Sequence, residues 1–135
     1  ALGVERVGYL SHHEVLTALA ESHLTLCLLD DVPGTEAIYP GKVFELMHLR
    51  RPCLVLTPEG ALATLSRRHG LGTVLPPRDE AGIAAFLADA LRAHQEGRFA
   101  ATAASQDTAR YDRRALAGEF ADVLRAAVAR TGRAR

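Results

Sequence analysis

Lys42 and Glu45 are the two side chains whose types and spacing most readily do chemistry. They follow a loop that closes on Tyr39-Pro40-Gly41, and an apolar run, Cys53 to Leu56, comes soon after them. A Pro-Gly pair ending a loop and a cation and carboxylate three positions apart predict the first turn of a helix beginning at Lys42. Helix N-termini present backbone N–H groups and the positive end of the dipole, which suits a phosphate. Residues three apart share a helical face, so one ligand can meet both Lys42 and Glu45. A ligand with anionic phosphates and neutral hydroxyls fits that pair, and a nucleotide sugar is one. The same spacing also serves a solvated ion pair worth a few tenths of a kcal/mol. The order of the flanking segments favours the ligand.

Those segments alternate. Val4 to Leu10 reads as a first short strand. Ser11 with Glu14 three positions on is a capping box, predicting a helix from His12 to Ser22 with Val15, Leu16 and Leu19 as its apolar face. Leu24 to Leu29 is a continuous apolar run, the pattern of a central strand buried on both faces of a parallel sheet. Asp31 to Gly41 is a loop, Lys42 to Leu49 a helix, and Cys53 to Thr57 another buried strand. Pro58 suits the first turn of a helix that stops at His69-Gly70. Gly72 to Leu75 is a short strand. Asp79 caps a helix over Glu80 to His94, with Ile83, Leu87, Ala90 and Leu91 on one face. Gln95 to Arg110 is a connector or a weak helix, and Asp112 caps a last amphipathic helix carrying Leu116, Phe120, Val123, Leu124, Ala127 and Val128.

Strand and helix in repeated alternation predict an α/β fold, a Rossmann-like parallel sheet with helices on both faces. Residues 1–111 form the nucleotide-binding domain in this reading and residues 112–135 the closing helix. Ligands of such sheets sit beyond the carboxyl ends of the strands, where the loop from Asp30 to Gly41 emerges.

The ordered set of motifs resembles the C-terminal, donor-binding half of GT-B glycosyltransferases of the retaining glycogen-synthase and sucrose-synthase group. Four stretches carry the resemblance: Val7 to Glu14, Ala20 to Leu26, Pro40 to Met47 with Arg51 to Leu54, and Gly70 to Pro76. The resemblance implies that Glu45 accepts hydrogen bonds from ribose hydroxyls. It implies that Gly41 and the N–H groups after it hold the diphosphate, with Pro40 and Tyr39 in the same motif and Lys42 as a weaker phosphate contact. Tyr9 and Leu10 lie where the base is received. Many relatives carry a second Glu eight positions before the ribose carboxylate; Ala37 stands there, and Glu36 beside it is the substitute. The Arg and Lys pair that holds the diphosphate in relatives precedes the first strand seen here, as does the acceptor-binding half. With no initiating Met, the chain reads as part of a longer enzyme and inactive by itself. The implied donor is a nucleoside diphosphate sugar, with no further cofactor.

The 135 residues suit a domain with a real core, and 48% apolar with 24% charged residues is a globular composition. Sixteen basic and sixteen acidic residues balance to zero net charge, which gives nucleic acid or an anionic membrane no handle. No apolar run reaches the ~20 residues of a membrane span, and no signal peptide is evident, so the expected compartment is the cytoplasm. Cys27 and Cys53 sit in apolar runs and read as buried reduced thiols. His12-His13-Glu14 is a poor metal motif because adjacent histidines diverge on a helix, and His48 and His69 suit helix C-termini. Three rivals remain at this stage: a sugar-nucleotide epimerase of the same fold, a catalytically dead partner-binding relative, and a receiver-like signalling domain. Asp30-Asp31 suggests the last, but the third aspartate and the late lysine it needs are absent.

Overall fold

The structure, a computed structural model, describes residues 3–99 and 106–132. Two compact units divide it, Ala1–Ala104 and Ser105–Arg135.

The first unit begins with α1, His12–Glu21. Its start is set as expected: the Ser11 side chain accepts from the Glu14 N–H, and Glu14 Oε2 accepts from the Ser11 N–H at 2.8 Å. The Ser11 hydroxyl first and the Ser11 backbone N–H second hold the Glu14 carboxyl below the usual carboxylate range. After α1 come β1 (Thr25–Leu28), α2 (Lys42–Leu49), β2 (Cys53–Leu56), α3 (Ala61–His69), β3 (Thr73–Leu75) and α4 (Glu80–Gln95). The three strands form one parallel sheet in the order β1-β2-β3, flanked by helices. The α/β class and a parallel sheet flanked by helices are therefore present, an arrangement consistent with a Rossmann-like fold.

Register divides the side chains between two faces. Thr25 and Cys27 stand opposite Cys53 and Val55, and Val55 opposite Val74. All of these but Val74 are buried. Val43, Leu46 and Met47 of α2 are buried as well, and α2 packs against β1. Leu62, Ala63 and Leu65 of α3 complete the core, with Leu71.

Three expectations before α4 are corrected. Val4 to Leu10 forms no strand and pairs with none of the three; Val4 is 83% exposed and Tyr9 wholly so. A strand-like composition gives a strand only where a neighbour can satisfy its backbone. The run at Leu24 to Leu29 is not central. As β1 it lies at the sheet edge, and Leu26 and Leu28 on its second face are about half exposed. Nor does Pro58 open a helix: α3 starts after Gly60, whose backbone at φ 156° lies against that of Glu36. The stop at Gly70 stands. It adopts φ 60°, and the Leu71 N–H reaches the Ser66 carbonyl at 3.0 Å while Leu71 itself is buried.

On α4 the cap is as expected, Asp79 Oδ1 accepting from the Gly82 N–H at 2.9 Å, but the inner line is rotated. Gly82, Ile83, Phe86, Ala90 and Ala93 are the half-buried positions, whereas Leu87 and Leu91 are exposed. The helix returns towards the start of β1, where the rings of His94 and His23 meet edge to face at 4.3 Å. In the second unit a 3₁₀ segment, Gln106–Tyr111, leads into α5, Arg113–Gly132, capped by Asp112 Oδ1 through the Arg114 and Ala115 N–H groups. The connector expected over Gln95 to Arg110 lies in part outside the described residues.

Burial pushes both thiols up; it is only partly offset, at Cys27 by the Lys42 charge and at Cys53 by hydrogen bonding to Thr25 and Cys27 ahead of that charge. Since the thiolate is the reactive species, neither cysteine should react with a disulfide reagent in the native protein at pH 8. Both should react together once the chain is unfolded in urea. A thiol titrating rapidly in the native state would contradict the packing of the β1–β2 face.

Candidate functional site

The site grows from the carboxyl end of β1. Beyond Leu28 the chain turns at Asp30, whose Oδ1 accepts from the Asp31 N–H at 2.9 Å. It tightens into a 3₁₀ turn, Thr35–Ala37. Thr35 is buried, its hydroxyl donating to the Val32 carbonyl at 2.7 Å. The Glu36 carboxylate accepts from the Gly34 N–H at 2.8 Å, and its backbone rests on Gly60. Glu36 thus serves its own loop, and its charge is turned to a backbone donor.

Pro40 and Gly41 then set up α2. Val43 N–H reaches the Pro40 carbonyl at 3.0 Å and Phe44 N–H the Gly41 carbonyl at 3.3 Å. No side chain caps this end. Gly41 is right-handed helical, and nothing lies within 4 Å of where a Cβ would stand, so the backbone there is open to an approaching group. Lys42 reaches back, Nζ donating to the Leu28 carbonyl at 3.1 Å. That bond ties the first residue of α2 to the last of β1 and places the helix start at the carboxyl edge of the sheet.

Glu45, one turn on, is 41% exposed, and its Oε1 stands 4.0 Å from Nε2 of His12. This separation is an ion-pair distance, too long for a hydrogen bond. Helices α1 and α2 pack together, so the start of α1 and the first turn of α2 face one patch of solvent. Tyr39 is half exposed, Leu10 half buried, and Tyr9 fully in solvent two residues before the α1 cap. The structure joins Pro40, Gly41, Lys42 and Glu45 at one helix start and adds the beginning of α1. His12 is the member that sequence reasoning did not assign. Its signal was partial: the capping box fixes where α1 begins, but only tertiary packing brings that end to Glu45.

Among the described residues no three His, Cys, Asp or Glu side chains gather as a metal site. No described helix is long and apolar enough to cross a membrane. Searches against protein-family models, curated proteins and solved structures find no match to this chain.

The arrangement offers a half-exposed carboxylate, an imidazole beside it and an uncapped helix start within one turn. Such a set can accept from hydroxyls, donate to a hydroxyl oxygen and face an anion.

Proposed function

We propose that this chain is the donor-binding half of a GT-B glycosyltransferase, holding a nucleoside diphosphate sugar at the start of α2. The observation that carries the reading is the position of Glu45. It is a half-exposed carboxylate in the first turn of a helix that Lys42 ties to the carboxyl end of a parallel strand. An ionised carboxylate accepts from two ribose hydroxyls, and the open backbone at Gly41 receives the diphosphate beside it.

In the whole enzyme the sugar moves from the diphosphate to an acceptor bound by another domain. The leaving diphosphate is stabilised by backbone N–H groups and basic residues rather than by chemistry at Glu45. Lys42, occupied with the Leu28 carbonyl, acts first on the strand end and only secondarily on a phosphate. The loop that holds Glu36 would have to release the Gly34 N–H before that carboxylate could touch a sugar. Tyr9 and Leu10 supply the surface for the base.

Calorimetric titration with UDP, GDP, ADP and TDP tests this. One nucleotide should bind preferentially, and Glu45→Ala should weaken it by roughly 10–100-fold, the range of one or two charged hydrogen bonds. Equal affinity of the variant, or binding of none of the four, would overturn the reading.

A further inference from the structure

We propose that His12 is a second ribose-binding residue, which reads the acceptor side of a hydroxyl whose donor side Glu45 reads. The inference rests on the donor-site reading above. A hydroxyl is both a donor and an acceptor, while a carboxylate can only accept. Glu45 alone therefore leaves the oxygen lone pairs of a bound hydroxyl to water, and a donor beside it completes the recognition.

His12 supplies that donor. In its Nε2–H form it stands 4.0 Å from Glu45 Oε1. An oxygen about 2.8 Å from each atom, the ordinary hydrogen-bond length, would subtend roughly a right angle between them. The gap accepts one hydroxyl oxygen with little movement of either residue. The competing groups nearby are engaged elsewhere. Glu14, on the same turn as His12, bonds the Ser11 N–H, and Lys42 bonds the Leu28 carbonyl. His12 itself stands on a firm base, because it is the residue directly after the Ser11 cap, with both capping-box bonds made. Its side chain is 71% exposed and carries no core packing, so replacing it leaves the fold intact.

The consequence is specificity for the sugar of the nucleotide. The wild-type chain should prefer the best of UDP, GDP and ADP over that nucleotide's 2′-deoxy or 3′-deoxy form by about tenfold, since a lost hydroxyl leaves Glu45 and His12 both unpaired. His12→Ala should weaken the ribonucleotide about 3–10-fold and shrink that preference to about twofold. His12→Gln, whose amide nitrogen reaches as far as Nε2, should restore most of both. Inorganic pyrophosphate as a competitor should be equally effective against wild type and His12→Ala.

Retention of the full ribose preference by His12→Ala, or failure of His12→Gln to recover it, would overturn the inference. If Glu45→Ala weakens binding while His12→Ala leaves affinity and preference unchanged, only the role of His12 falls. If the wild type binds none of the nucleotides, the donor-site reading falls, and this one with it.

Discussion

Gly72→Ala should cost about 4 kcal/mol or more of folding stability, in the range reserved for mutations that break a named packing constraint. A Cβ at this position would overlap the carbonyl oxygen of Cys53 and stand 2.7 Å from its carbonyl carbon. The obstacle is backbone, so no side-chain rotation relieves it. Cys53 begins β2 and Gly72 directly precedes β3, so moving either one pulls at the pairing of Leu54 with Thr73. Domains of this size are stable by only about 5–15 kcal/mol in total. Urea denaturation followed by circular dichroism should show a large drop in midpoint or a chain unfolded without denaturant. Gly8→Ala is the matched control: no atom lies within 4 Å of its Cβ position, and its change should stay within about 0.5 kcal/mol. Similar behaviour of the two variants would mean that β2 and β3 are not so closely apposed.

Leu62→Ala should cost about 2–5 kcal/mol, the range for emptying a leucine site in a core that cannot collapse onto the gap. Leu62 is 1% exposed and heads the fully buried side chains by volume. It lies in the first turn of α3, where the backbone of Gly60 is already pinned against Glu36, so the helix start has little freedom to move inward. The same denaturation experiment reads the loss. A cost below about 1 kcal/mol would place the centre of the core elsewhere. Leu87→Ala on α4, at 46% exposure, should cost much less, although the same leucine was expected on the buried face of its helix.

That contrast shows which parts of this fold were legible from residues alone. Signals that act within one turn were read correctly: the Ser11–Glu14 box, the cap at Asp79, the stop at Gly70 and the extent of α2. Each is decided by atoms three or four residues apart. What depends on a neighbour far along the chain was not legible. Val4 to Leu10 has a strand's composition but no strand beside it. Leu26 and Leu28 look like core until the position of β1 in the sheet is known. On α4 the apolar arc is wide enough that Phe86 and Leu87 compete to face inward, and packing chose Phe86.

The candidate site divides the same way. The chemistry of Glu45 could be argued from its spacing after Gly41. Its neighbour could not, since His12 belongs to another helix. Nor did any pattern announce that Lys42 would bend back to a strand carbonyl, or that Glu36 would close a hydrogen bond within its own loop.

The edge position of β1 also has a kinetic meaning. The Thr25 and Leu29 N–H groups bond to β2, through the carbonyls of Pro52 and Leu56. Strand alternation therefore turns the N–H groups of Leu26 and Leu28 the other way, to an edge that no described strand pairs. Within a single four-residue strand, adjacent amides then belong to two classes. In deuterated water those of Leu26 and Leu28 should exchange early, through local fluctuation alone, while that of Cys27 waits for the sheet itself to open. The strand beside the candidate site is thus guarded along one side only, with the ammonium of Lys42 as the clasp at its far end.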